Sequence, residues 1–189
     1  MNPQYMMIFA IALVMLCVFI FATIWAARYT KVGPNRVLIV SGRQRQLADG
    51  TRVGFRIVKG GGTFVFPVIE TAEVLSLEVL SIELPGKVRT ADGMPVETDC
   101  LAQVKIKGDE VSILAAAEHF LSKDEGEIKG LARPVLEKHL RTVLGSLKAS
   151  EIDRDPEACA ARVQTAASVD LGNRGLGMIS FTIRLVREG

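Results

Sequence analysis

The run from Tyr5 to Ala27, YMMIFAIALVMLCVFIFATIWAA, constrains this chain more than any other stretch. The first 27 residues carry no charged side chain, and Met6 to Ala27 is an almost unbroken apolar sequence. At ~1.5 Å rise per residue a helix of that length spans about 33 Å, enough to cross a hydrocarbon core of ~30 Å. In lipid, backbone N–H and C=O groups have no water to bond, so the segment must satisfy them within itself, as a helix. Tyr5 and Trp25 stand near its two ends, where amphipathic rings prefer the membrane–water boundary. Met6, Trp25 and Ala27 therefore mark the expected limits of a transmembrane anchor. A cleaved signal peptide fits less well, because it wants a basic leading region and an apolar core of only about 7–15 residues. A buried helix of a soluble domain fits less well still, because no face of this one is polar.

The flanks set an expected orientation. Residues 28 to 60 carry Arg28, Lys31, Arg36, Arg43, Arg45, Arg52, Arg56 and Lys59 against one acid, Asp49. By the positive-inside rule that side is cytoplasmic, giving a single-pass protein of the cell (inner) membrane. Arg28, Lys31 and Arg36 follow the span most closely and are candidates for contact with anionic headgroups. Each basic group near such a surface is worth about 1 kcal/mol. Cys17, Cys100 and Cys159 form no close pair, which argues for a reducing compartment without a disulfide framework. The net charge is only +2 and aromatic residues make up 6%, a composition that does not suggest a nucleic-acid binder.

After the anchor the sequence reads first as strands, then helices, then a strand. Thr30–Arg36, TKVGPNR, reads as a Gly-Pro turn leaving the membrane. Val37–Val40, VLIV, reads as a strand buried on both faces. Asp49-Gly50 is a hairpin signal, with Phe55–Val58 pairing back. Gly60, Gly61 and Gly62 lack the spacing of a phosphate-binding loop and read as a structural turn requiring positive φ or close backbone approach. Val74–Leu84 alternates but changes phase near Val79–Leu80, which predicts a bulged strand ending at Pro85-Gly86. Asp92 and Gly93 supply the next turn. Val96–Lys107 alternates cleanly, with Val96, Thr98, Cys100, Ala102, Val104 and Ile106 inward. Val111–Leu121 and Asp124–Leu147 are predicted helices. The second should be kinked, or start late, because of Gly126, Gly130 and Pro134. Asp155-Pro156-Glu157 looks like an N-cap with proline at N1, opening a helix to about Leu171. Ile179, Phe181, Ile183 and Leu185 alternate as a last strand. This order predicts an α+β fold with segregated elements.

Recognisable chemistry is lacking. His119 and His139 have no second ligand at metal spacing, and no nucleophile elbow, dinucleotide fingerprint or HExxH occurs. Neither an enzyme activity nor a cofactor is expected.

Several segments together resemble bacterial flotillin-like proteins of the stomatin/prohibitin/flotillin (SPFH, band-seven) superfamily. They are KVGPNRVLIVSGR (Lys31–Arg43), KGGGTFVFPVIE (Lys59–Glu70), VLSLEVLSIEL (Val74–Leu84), TADGMPV (Thr90–Val96), AQVKIKGD (Ala102–Asp109) and HLRTVLGSL (His139–Leu147). The resemblance implies a transmembrane anchor at 1–27, a strand-rich first SPFH subdomain at 28–90 and a mixed α+β second subdomain at 91–189. It also implies a non-catalytic scaffold of membrane microdomains that contacts lipid and self-associates into homo-oligomers, or joins full-length flotillin-like proteins. An AAA membrane protease and a small OB-fold membrane protein are the partners the resemblance suggests. Flotillins continue into a coiled coil where this sequence stops at Gly189, so the chain reads as truncated before it. The alternative is a membrane-tethered regulatory module acting on a larger SPFH assembly or a membrane protease.

Overall fold

The computed structural model describes residues 3–46, 52–66 and 69–188. Helix α1 covers Pro3–Ala26 and none of its residues is buried. Its 24 residues correspond to about 36 Å of helix. An apolar helix with every face exposed is not folded for water. Thr23, one of its few polar side chains, donates its hydroxyl back to the Ile20 carbonyl at 2.8 Å, so it brings no unpaired donor into an apolar surrounding.

The described chain divides into two compact units, Met1–Glu73 and Val74–Gly189. This differs from the expected boundary at residue 90. Strands β4 (Leu80–Arg89) and β5 (Pro95–Ile106) form one antiparallel hairpin, paired from Leu80↔Val104 to Arg89↔Pro95. A boundary at 90 would cut that hairpin at its turn.

In the first unit β1 (Tyr29–Gln46) lies between β2 (Arg52–Phe64) and β3 (Thr71–Ser76). Val37, Leu38, Ile39 and Val40 are all buried, as an apolar run on a central strand should be. Thr30–Arg36 is not a turn but part of β1. The ladder with β2 shifts register between Val32↔Gly61 and Val37↔Lys59, so Gly33-Pro34-Asn35-Arg36 bulges outward opposite Gly60. The glycine triplet likewise lies inside β2 rather than in a turn. Gly60 and Gly61 take φ of +69° and +76°, which is how β2 follows the bulge without steric cost. The expected Asp49-Gly50 turn falls outside the described residues.

The phase change in Val74–Leu84 is a break between two strands rather than a bulge. β3 ends at Ser76, β4 begins at Leu80, and the two belong to different sheets. Pro85-Gly86 does not end β4, which runs on to Arg89. An edge strand tolerates proline because the missing N–H faces no partner strand.

The second unit is a three-stranded antiparallel sheet in the order β4-β5-β6, with β6 at Leu176–Glu188. Helices α2 (Glu110–Phe120), α3 (Glu125–Gly145), α4 (Ala149–Arg154) and α5 (Pro156–Gly172) accompany it, with α3 against β4 and α5 against β6. The inward set of β5, from Val96 to Ile106, is buried as its alternation predicts. Ile179 does not follow: β6 shifts register between Ser180 and Met178, and Ile179 stands exposed at the bulge.

α3 starts at once and runs through Pro134. Asp124 accepts from the Glu127 N–H at 2.7 Å and Glu127 accepts from the Asp124 N–H at 3.1 Å, a reciprocal capping box. An interior proline costs ~3 kcal/mol. Burial of Ile128, Ala132, Leu136, Leu140 and Leu144 on one face more than offsets it, at roughly 1.5–3 kcal/mol per large apolar side chain. Asp155 caps α5 as expected, accepting from the Ala158 N–H at 2.9 Å with Pro156 in the first turn.

Candidate membrane interface

The C-terminal turn of α1 is joined to the first sheet by both backbone and side chains. The Arg28 N–H bonds the Trp25 carbonyl at 3.1 Å, and the Arg28 carbonyl accepts from the Val65 N–H at 3.4 Å. The Trp25 ring lies 5.8 Å from Phe21 on its own helix and 5.8 Å from Phe64 at the end of β2. Tyr29 meets Phe64 edge-on at 5.3 Å, a favourable quadrupole arrangement. Gly62 makes room for this, since a Cβ there would strike the Tyr29 ring. Of the three glycines, then, two are chosen for conformation and one for close approach.

A patch of exposed apolar side chains surrounds this cluster. Trp25 is 51% exposed, Phe64 40%, Phe66 47% and Ile69 54%. Beside it Arg56 and Glu70 form an ion pair at 3.2 Å, with the Glu70 side chain only 6% exposed. Arg28, Lys31 and Arg36 are all exposed. Lys31 is paired with Gly62 near the start of β1, whereas Arg36 is the last residue of the bulge, eight residues beyond Arg28 in sequence.

Among the described residues of the second unit there is no comparable constellation. Asp92 accepts the Thr90 hydroxyl and lies 3.4 Å from the Ala149 N–H, which ties the Thr90–Met94 turn to the start of α4. Gly93 in that turn has φ +80°, as the Asp-Gly signal predicts. The Thr90 hydroxyl holds the Asp92 carboxyl below its ordinary pKa, and the Ser112 N–H does the same for Asp109 at the cap of α2. His139 Nε2 sits 2.9 Å from Asp170 Oδ2, a bond that lowers the Asp170 pKa, with Lys138 Nζ at 3.6 Å from the same oxygen. These are links between α3 and α5. His119 packs beside Phe120. Burial pushes the Cys100 thiol up to about 11, which makes it a core side chain and a poor nucleophile. Among the described residues no three His, Cys, Asp or Glu side chains converge as a metal site.

A domain of this build, entered directly from an exposed apolar helix, has clear relatives. The SPFH domain / Band 7 family matches residues 30–188.

The chain belongs to the SPFH/Band 7 family.

Within this family it is similar to flotillins. It is 41% identical over 171 residues to the flotillin-like protein FloT of Bacillus subtilis, covering 87% of this chain and 33% of the relative. It is 35% identical over 164 residues to Flotillin-1 of Drosophila melanogaster, covering 85% and 36%. It is 35% identical over 158 residues to human Flotillin-1, covering 82% and 35%. The chain thus spans about a third of the length of these flotillins. The SPFH/Band 7 family is non-catalytic, and with the flotillin likeness the apolar helix indicates membrane association.

Sequence reasoning named Trp25 and the three basic residues but missed Phe64, Phe66, Ile69, Arg56 and Glu70. The apolar Phe64-Val65-Phe66 before Pro67 reads only as a strand candidate. The usable signal was two aromatics one residue apart after a glycine run and directly before proline, too short a segment to bury both.

Proposed function

We propose that this protein is a membrane-anchored, flotillin-like SPFH scaffold that organises membrane microdomains and the membrane proteins within them. The observation that carries the reading is the junction of an exposed 24-residue apolar helix with an SPFH domain whose Phe64 packs on the helix's own Trp25. A domain joined so closely to its anchor is held at the bilayer surface rather than on a free tether. In this reading α1 crosses the cell (inner) membrane once, with Met6 at one end and Trp25 and Ala27 at the other. Phe64, Phe66 and Ile69 rest in the headgroup region beside Trp25, where aromatic and apolar side chains gain from partial burial. Arg28 and Lys31 face anionic lipid. Arg36 stands in the bulge between Val32 and Val37, off the β1–β2 ladder, and is the third basic candidate for that contact.

The basic excess after the span supports a cytoplasmic domain, and lipids and further copies of SPFH proteins are the partners this reading supplies. An AAA membrane protease or a small OB-fold membrane protein is a client suggested by the resemblance. Three experiments test the proposal. Alkaline carbonate washing should leave the protein in the membrane pellet; release into the supernatant sinks the integral anchor. Native mass spectrometry in mild detergent should give assemblies of many copies. Monomers would replace the scaffold with a tethered regulatory module on a larger SPFH assembly. An introduced thiol, Lys123→Cys, reads topology. Labelling by an impermeant reagent while the inner membrane is sealed would overturn the cytoplasmic placement.

A further inference from the structure

We propose that Arg56 and Glu70 are positioning residues that hold Phe64, Phe66 and Ile69 in place as a rigid second membrane contact; this rests on the interfacial role assigned to those three side chains above. The ladder between β1 and β2 ends at Tyr29↔Phe64. Beyond it the Val65 N–H still reaches the Arg28 carbonyl at 3.4 Å, and four further main-chain bonds and an ion pair converge there. Arg56 Nη2 donates to the Phe64 carbonyl at 2.6 Å and to Glu70 Oε2 at 3.2 Å. The same Glu70 oxygen accepts from the Phe66 N–H at 3.2 Å. The Phe66 carbonyl in turn accepts from the Ile69 N–H at 3.0 Å and the Glu70 N–H at 2.7 Å. Two charged side chains thus do what a neighbouring strand would otherwise do. Backbone at every residue that carries an exposed apolar group is tied into one network.

The arrangement is poorly suited to stability alone. The Glu70 carboxylate is almost fully removed from water, which opposes the gain from pairing, and Arg56 Nε is buried without a partner. An apolar pair would fill the same space with no desolvation cost, but it could not bond the Phe64 carbonyl and the Phe66 N–H. Fixing those two groups has a use at a membrane surface. A floppy loop would lose conformational freedom on entering the headgroup region, and a preformed one has already lost it.

The test uses the full chain in vesicles of phosphatidylcholine and phosphatidylglycerol. Trp25 is the single tryptophan, so Phe66→Trp in a Trp25→Phe background gives one reporter at the contact. Acyl chains brominated close to the headgroup should quench it. Glu70→Ala should lower that quenching at least twofold. Glu70→Gln should retain most of it, because an amide oxygen can still accept from the Phe66 N–H and from Arg56. Arg56→Met, which keeps the apolar stem and removes both Nη2 bonds, should lower quenching as Glu70→Ala does. Trp25 fluorescence in an otherwise unchanged Glu70→Ala chain should stay quenched, showing the anchor in place. Absence of quenching in the parent reporter overturns the interfacial role of Phe66 itself. Full quenching in a folded Glu70→Ala or Arg56→Met chain, judged by circular dichroism, leaves the membrane contact standing and overturns the positioning role.

Discussion

Gly175 opens β6 where the chain turns back from α5, and replacing it with alanine separates two costs that usually come together. Its φ is +76°, in the left-handed region, and a Cβ there would fall 2.6 Å from the Ala116 N, 2.8 Å from the Ala116 Cβ and closer still to the Ser112 carbonyl oxygen. Forcing an L-residue into that conformation costs about 1 kcal/mol. Pressing a methyl into the backbone of α2, which cannot swing aside like a side-chain tip, adds overpacking of ~1–3 kcal/mol. The expected total is about 2–4 kcal/mol. Gly93 is the matched control: its φ is +80°, and a Cβ there meets nothing within 4 Å. Gly93→Ala should therefore cost only the conformational ~1 kcal/mol. Urea unfolding of the full chain in micelles, followed by far-UV circular dichroism, measures both. In thermal unfolding of the same samples, at roughly 4–8 °C per kcal/mol for a domain of ~100 residues, the melting temperatures should differ between the two variants by about 4–24 °C. Equal losses would refute the claim that α2 approaches Gly175 closely enough to exclude a side chain.

Asp92, Asp109 and Asp170 all hold pKa values below the ordinary 3.8, through bonds from Thr90, the Ser112 N–H and His139 respectively. Such groups add stability above the unfolded pKa and lose it as pH falls through the folded one. The melting temperature of the second unit should thus hold from neutral pH to about 5 and fall below about 4. Asp92→Asn should flatten that fall, and an unchanged acid profile would argue against the Thr90 bond as the cause. Cys100, with its pKa raised to about 11 from 9.0, should react with a small maleimide or disulfide reagent about a hundredfold more slowly than an ordinary thiol at pH 8. Denaturant should restore the ordinary rate, and fast native labelling would contradict its burial. Neutralising Arg28, Lys31 and Arg36 together should weaken association of the headgroup region with anionic lipid by about 3 kcal/mol. Unchanged lipid pull-down across a salt series would leave these charges a role in topology alone.

The elements that sequence alone placed were those whose signals are local. A 24-residue uncharged run needs no partner to be a helix in lipid. Alternation from Val96 to Ile106 decides which side chains of β5 are buried whichever strands flank it. Asp155-Pro156 caps α5, and Asp92-Gly93 turns between β4 and β5, through bonds reaching only a few residues. With the matched segments, this was enough to reach the family.

Tertiary structure decided the features that depend on what lies opposite. Nothing within Val74–Leu84 distinguishes a bulged strand from two strands in two sheets, because the same phase change serves both. Gly60 and Gly61 form a bulge rather than a turn only because Gly33–Arg36 loops out across from them. Pro134 is carried within α3 because one face of that helix is buried, an energy that no propensity scale contains. The candidate membrane contact is the strongest case. Arg56 and Glu70 are fourteen residues apart, and the Arg56 bond to the Phe64 carbonyl joins two positions eight apart on β2, out of reach on a straight strand, so both contacts follow from β2 bending between them. Local sequence determined the apolar helix and the elements whose caps and alternation act over a few residues. Only the folded sheet decided which side chains stand beside the anchor, since that depends on strand register between residues distant in the chain.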